Sequence, residues 1–540
     1  MVGRFLLQAS GVPIRTWLAL LLFQQTGAFA AEWPQYRGPT TDGISLEAIS
    51  TNWPASGPTV VWRNSSLANG FSSFAVSQGR AFVLVSQDDG TGSGQLLECC
   101  VGLDAATGAP LWTTPIDVAP WDPNSPGDGG DGAYPYNTGD GPRTTPSVKD
   151  GRVFALSGLM HLVCLNATNG SVVWSNDLVS AYGASTIPWE NCASPCVDND
   201  LLFVNLNSSP NDQNLAAFRT SNGSLAWSSQ NENVTHATPT VATIQGMRQV
   251  IFPTQTGLVS LNRTNGNFLW KLDYPFDPIS TSMGASPIVY SNIVYCTAAY
   301  GRGAVAARIT LSSGTWTATQ LYFRGDFNHR SIWMSPVCYQ GYVYSLAGEN
   351  STFLTAPLNC IELATGDLKW SVDNFGMGGL ILINTNLLVL TEDGQFVLIQ
   401  PSPAAYIELA RYQAFEFSDS TPGKCWNSPA FSNGRIYAHS TREGLCLDVA
   451  PGPPRLKLLS AQFLNSTQFK LVVGTLDGTA LDSNRLPKIE VRATNSVAAP
   501  PSTWPKLTNP LVLGTDGVAR LTNTIRSGQS RQFYRTVEQP

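Results

Sequence analysis

A chain of 540 residues with 43% hydrophobic and only 13% charged residues carries ample apolar side chain for a large folded core, which excludes a disordered protein. A formal net charge of -6 over that length leaves no basic face and argues against nucleic acid as a partner. Gly (48), Pro (36) and aromatic residues (10%) suit many short strands joined by tight turns.

Residues 1–30 read as an export signal. Arg4 and Arg15 supply positive charge, Trp17 to Phe23 form a short apolar core, and Ala28-Phe29-Ala30 is an A-x-A cleavage site. The apolar run is too short to span a bilayer. The mature chain is therefore expected to be exported, in a periplasm or at the cell surface, without a transmembrane segment.

Residues 31–57, with Trp33-Pro-Gln-Tyr-Arg-Gly-Pro, read as an irregular lead-in. Pro58-Thr-Val-Val-Trp62 then looks like the last strand of a repeat whose earlier strands are missing. Complete repeats follow. A Gly stands four residues ahead of a Trp at Gly108/Trp112, Gly170/Trp174, Gly223/Trp227, Gly266/Trp270 and Gly366/Trp370. Gly314-Thr-Trp316 departs by two residues, which keeps its Trp on the same strand face. A Ser/Thr-Pro step opens a strand at Pro146, Pro195, Pro239, Pro287, Pro336 and Pro429. Spacings of 44 to 49 residues over the first five of these, and a double gap of 93 before the last, are those of four-stranded propeller blades, one of which has lost its proline.

Openings near 74, 146, 195, 239, 287, 336, 378 and 429 predict an all-β, eight-bladed propeller over 58–450. The last blade lacks its own outer strand, and the strand of Trp62 closes it from the other end of the chain, hiding two open sheet edges. Trp62, Trp112, Trp174, Trp227, Trp270 and Trp370 are expected to dock between neighbouring blades. After the stiff Ala450-Pro-Gly-Pro-Pro454 linker, residues 455–540 read as a small all-β, sandwich-like module.

These repeats resemble the pyrroloquinoline-quinone-like (quinoprotein-like) β-propeller family, in a secreted bacterial branch. The residues that carry the resemblance are Leu103-Asp-Ala-Ala-Thr-Gly-Ala-Pro-Leu-Trp112, the lead-in around Trp33, and Gly141-Pro-Arg-Thr-Thr-Pro146. The resemblance implies the fold. For function it allows quinone-dependent alcohol dehydrogenases, with pyrroloquinoline quinone and Ca²⁺ as cofactors, and non-catalytic scaffolds of the outer-membrane assembly type.

Family dehydrogenases carry adjacent, bonded cysteines on an inner strand, at the level of Thr144-Thr145 here. Cys99-Cys100 falls two strands later, away from the axis. Gly127 to Gly132 matches G-x-G-x-x-G in spelling, but no strand precedes it, no helix follows, and its aspartates repel phosphate. The four histidines (His161, His236, His329, His439) have no metal-ligand spacing. Cys164, Cys360 and Cys446 recur at one repeat position, which favours small core residues over bridges.

Residues just ahead of the inner strands are expected to ring one mouth of the channel. Arg143, Trp189, Glu190, His236, Arg330, Trp333 and Trp426 are the candidate ligand-binding set, and no catalytic or metal-binding residue is assigned. Aromatics among mixed charges suit a polar small molecule, a glycan or a peptide segment. The expectation is a monomeric binding or scaffolding protein without a cofactor of its own. The alternatives are the quinone-dependent dehydrogenase and a binder of cell-wall polysaccharide.

Overall fold

The computed structural model describes residues 32–120, 141–208, 213–349, 354–418, 423–452, 456–465, 468–475, 478–494, 504–524 and 533–539. The expected export signal and the Gly127 to Gly132 match lie outside them.

Among these residues the strands from Thr59 to Asp448 build eight antiparallel sheets of four strands, one of which gains a fifth, parallel strand from the lead-in. We number them 1 to 8 by their innermost strands: Ala75–Ser77, Ser147–Lys149, Cys196–Asp198, Thr240–Ile244, Ile288–Tyr290, Val337–Tyr339, Gly379–Ile383 and Ala430–Ser432. Innermost strands lie side by side from sheet 1 to sheet 4 and from sheet 5 to sheet 7, and that of sheet 8 returns to that of sheet 1. Thr240 Oγ1 donating to Pro287 O and Gly379 lying against Asn427 O join the remaining neighbours. The fourth strand of sheet 8 is Thr59–Asn64, antiparallel to Gly444–Asp448 with Trp62 opposite Cys446. The amino-terminal strand thus completes the last sheet.

The Gly-to-Trp repeat works between sheets. Trp62, Trp112, Trp174 and Trp227 donate their indole N–H groups to the carbonyls of Ala105, Ala167, Thr220 and Arg263, at 3.1 to 3.3 Å. Each carbonyl belongs to the turn of the following sheet, three residues ahead of its Gly. Those glycines, Gly108, Gly170, Gly223 and Gly266, have φ near +70° and lie so close under the indoles that a Cβ would collide with the ring. A register shift just ahead of each Trp aims it outward from its own sheet. The residue opposite is small: Cys446, Gly102, Cys164 and Ala217. The recurring cysteines are therefore a space requirement, and all ten cysteines are free thiols.

Sheets 4 and 5 depart from this scheme. Sheet 5 has a long outer hairpin, Gly303–Ser312 with Thr315–Arg324, and no ring covers its turn glycine, since a Cβ on Gly314 would meet nothing within 4 Å. Trp270 instead donates to Gln249 Oε1 of its own sheet at 2.8 Å. Trp316 sits at the tip of that hairpin, opposite Leu311, and does not take the docking position. Tyr322 takes it, six residues on, lying over Gly366 of sheet 6. The expected Trp316 equivalence fails because the hairpin lengthens outward from the docking position. Trp370 donates to Ser402 O at 2.7 Å, and Tyr412 covers Gly57 just ahead of the closing strand.

The lead-in is ordered and crosses the channel. Trp33 bridges Val76 of sheet 1, Pro34 O accepts from Val148 N of sheet 2, and Gln35 Oε1 accepts from Val197 N of sheet 3. Thr41 Oγ1 accepts from Val241 N of sheet 4, and Ile44–Ser45 adds a parallel strand to sheet 7. Arg37, 2% exposed, donates to the carbonyls of Thr41, Asp42, Ser335 and Pro336. The segment read as irregular therefore plugs one end of the channel, held by backbone groups of the strands around it.

Leu456–Phe463, Gln468–Thr475, Ala519–Thr524 and Val512–Leu513 form a further sheet, and Ile489–Thr494 pairs with Phe533–Glu538. Their inward residues, among them Leu471, Val473, Val491 and Leu521, share a core of their own.

Candidate functional site

The Ser/Thr-Pro steps explain how the channel wall is built. Proline cannot donate to a ladder, so it suits the first position of an edge strand facing the axis. The hydroxyl before it bridges to the neighbouring sheet. Thr145 Oγ1 accepts from Ser73 N at 3.0 Å, Ser194 Oγ from Thr145 N at 2.9 Å, and Thr238 Oγ1 from Ser194 N at 2.9 Å. Ser335 Oγ accepts from Ser286 N at 2.8 Å and contacts Tyr36 OH at 3.0 Å. Sheet 7 lacks the Ser/Thr-Pro step. There Gly378-Gly379 replaces it, and a Cβ on Gly379 would lie 2.3 Å from Asn427 O.

Above this girdle lies a cavity of about 470 Å³, lined by residues that precede the innermost strands of all eight sheets. Tyr36 of the plug also lines it, so the cavity is a funnel closed at the plugged end. Five of the seven expected mouth residues line it: Arg143, Trp189, His236, Trp333 and Trp426. Glu190 and Arg330 do not. Arg330 donates to Gly325 O at 2.8 Å and pairs with Glu349 at 3.3 Å. The carbonyl of Glu190 faces His236, leaving its carboxylate outside the lining.

Tyr36, Phe71, Cys192 and Tyr300 also line the cavity and escaped the sequence reading. Phe71 stands at the level of Arg143 in the repeat, and that register was the available signal. Tyr36 had none, because its segment belongs to no repeat.

One wall is aromatic. Trp333 and Trp426 have ring centroids 4.7 Å apart, and Phe71 stacks on Trp426 at 5.3 Å. The indole N–H groups are occupied behind the wall: Trp333 donates to Met377 O at 3.0 Å and Trp426 to Glu392 Oε1 at 2.8 Å. Glu392 is itself held by the N–H groups of Leu354 and Met377. Lys424, fully buried, places its ammonium 3.9 Å from the Trp426 ring centroid, and the Arg143 guanidinium lies 5.7 Å from that of Phe71.

The opposite side carries His236. Burial, and then the neighbouring Arg143, push its pKa down to about 4, so it is neutral at physiological pH. The backbone carbonyls of Pro188 and Glu190 oppose that shift, and Nε2 is shielded and has no partner among the described residues. With its proton on Nδ1, the neutral ring presents Nε2 as an acceptor. Trp189 and Glu190 hold successive positive φ angles of 77° and 60°, a strained rim beside this histidine.

The described lining contains no Asp or Glu, and no group of three or more His, Cys, Asp or Glu among the described residues is placed to hold a metal ion. Cys99 and Cys100 lie in the third strand of sheet 1, away from the cavity, and their side chains enter different core clusters.

Residues 100–327 match the family model described as outer membrane protein assembly factor BamB. Among solved structures, the chain is similar to the quinohemoprotein alcohol dehydrogenase ADHIIG from Pseudomonas putida HK5, at 11% identity and a TM-score of 0.52, covering 81% of this chain and 84% of that one. It is also similar to BamB from Moraxella catarrhalis, at 14% identity and a TM-score of 0.47, covering 72% and 99% respectively. The quinohemoprotein alcohol dehydrogenase from Comamonas testosteroni gives 12% identity and 0.45, covering 81% and 83%. Likeness at such identity concerns the fold alone. No curated protein matches the sequence.

Proposed function

We propose that this chain, a β-propeller whose residues 100–327 match a model of the pyrroloquinoline-quinone-like repeat type, is an exported binding or scaffolding protein without catalysis of its own, taking its ligand in the funnel between Trp333 and His236. One observation carries this reading: the described lining is aromatic, hydroxylic and cationic, with no carboxylate. A divalent cation held against a quinone needs hard oxygen ligands, carboxylates foremost. Arg143 brings positive charge to the same space. The donor set therefore does not fit a Ca²⁺-bound quinone, and we derive no step through one.

A non-catalytic role is also supported by the chemistry of the polar side chains. His236 is held neutral, and Cys99-Cys100 packs in sheet cores. The test is reconstitution. Purified mature protein is incubated with pyrroloquinoline quinone and Ca²⁺, and alcohol-dependent reduction of an artificial dye is followed. We expect none above a protein-free control. Turnover that saturates with alcohol overturns the proposal in favour of a dehydrogenase.

A further inference from the structure

We propose that the funnel recognises the carboxyl end of an N-acylated amino acid with an apolar side chain, as a free small molecule or as the end of a peptide. This rests on the binding reading above and names its ligand class.

Three hydroxyls set the polar side. Thr145, Ser194 and Thr238 are 1%, 3% and 6% exposed, and each accepts a backbone N–H from the neighbouring sheet. Acceptance leaves each hydroxyl its own O–H, and among the described residues none of the three donates a hydrogen bond. A buried donor without an acceptor costs about 1–3 kcal/mol, so a row of three along one cavity wall is a standing demand for acceptor atoms. Arg143 stands two residues ahead of Thr145 and lines the same cavity. A planar guanidinium beside hydroxyl donors, with no carboxylate in the described lining, matches a carboxylate ligand.

His236 makes the match narrower. Its Nε2 is a shielded acceptor in the same cavity, and a bare carboxylate has nothing to give it. An amide N–H on the carbon next to the carboxylate does. The ligand therefore carries both groups, as an N-acyl amino acid does. Its side chain meets the Trp333–Trp426 wall, whose indole N–H groups are already engaged, so the ring faces and not the N–H groups are on offer. A cavity of about 470 Å³ suits one such residue and its acyl neighbour.

The experiment measures binding of three probes to the full mature chain by titration calorimetry: N-acetyl-L-phenylalanine, its amide, and the tripeptide Gly-Gly-Phe. Both free acids are expected to bind at least tenfold tighter than the amide. Raising NaCl from 50 to 500 mM should weaken the acids and leave the amide unchanged. In Arg143→Gln the acid preference should fall to within twofold, whereas Trp333→Leu should weaken acid and amide alike. The salt arm uses wild-type protein, so the outcome does not hang on the folding of a variant. A tighter tripeptide assigns the ligand to a chain end, and a tighter N-acetyl compound to a small molecule. Equal binding of acid and amide to wild type, an acid preference that survives Arg143→Gln, or no binding of any probe at millimolar concentration overturns the proposal. Dye reduction in the reconstitution assay would sink the non-catalytic reading and leave the acid preference standing.

Discussion

Trp62 covers Gly108: a Cβ on that glycine would lie 2.5 Å from Trp62 Cδ2, and the Trp62 indole donates to Ala105 O at 3.1 Å. Trp62 belongs to the strand that completes sheet 8, and Gly108 to the outer turn of sheet 1. The contact therefore joins the last sheet to the first, where no covalent chain runs directly between their outer strands. Around it pack Phe74 and Tyr437, with centroids 6.0 and 6.1 Å from the indole.

Removing that indole opens a cavity at the seam. Trp62→Ala is expected to cost about 3–5 kcal/mol. Trp174→Ala, at a half-buried copy of the same joint, should cost clearly less, and Trp316→Ala at the hairpin tip about 1 kcal/mol. Gly108→Val should rival Trp62→Ala, because φ is +70° and the ring blocks the side chain. Urea unfolding followed by tryptophan fluorescence checks the order. If Trp316→Ala costs as much as Trp62→Ala, the account of the seam is wrong.

The repeat explains what was legible. A residue that recurs in register announces a shared position, and the Gly, the Trp and the Ser/Thr-Pro step do this. The closing strand could be read because its pattern lacked partners on one side and the last sheet lacked a strand on the other. Tyr322 and Tyr412 were illegible because the docking position asks only for a large flat ring, and the sequence spells it two ways. The plug was illegible for another reason. Arg37 meets Ser335 and Pro336, and Thr41 meets Val241, across separations that no local pattern encodes. Arg143, His236, Trp333 and Trp426 each stand three residues ahead of their proline, and that register places them at the mouth, as it does Cys192; Trp189, Glu190 and Arg330 lie five or six residues ahead, and of these Trp189 alone reaches the lining.

Glu98 makes stability depend on pH. It is fully buried in sheet 1 opposite Asp117, it accepts from Gly158 N at 2.9 Å, and its Oε1 has no partner among the described residues. Desolvation raises its pKa to about 8, against the Gly158 hydrogen bond; Asp117 raises it further and Arg143 pulls it down. The thiol of the adjacent Cys99 is pushed up to about 11 by burial and then by Glu98. A carboxyl with a raised folded-state pKa favours the native state below its unfolded value near 4.5. It loses that contribution as pH rises through about 8. Wild-type Tm should therefore fall between pH 6 and pH 9. Glu98→Gln should flatten that slope and melt above wild type at pH 9. A variant that keeps the full slope would move its origin elsewhere.

The state of the thiols bears on chemistry as well as packing. Nine of the ten cysteines are buried, and Cys192, half-buried at the funnel, is the tenth. Burial raises the pKa of Cys196, Cys338 and Cys446 to about 12, and Cys360 to about 11, so these carry almost no thiolate at neutral pH. Cys99 and Cys100 are neighbours in a strand, and successive side chains in a strand point to opposite faces. One enters the core shared with sheet 8, the other the core shared with sheet 2, so the two sulfurs do not meet. Native protein treated with a maleimide at pH 7.5 should therefore take up one label quickly, mapped by peptide mass to Cys192. The other nine should react at the pace of unfolding. Saturating N-acetyl-L-phenylalanine should slow the fast phase, since Cys192 lines the space that probe fills. Fast labelling at Cys99 or Cys100, or an intact mass two hydrogens short that reduction restores, would mean the pair is strained into reach, as a dehydrogenase would have it.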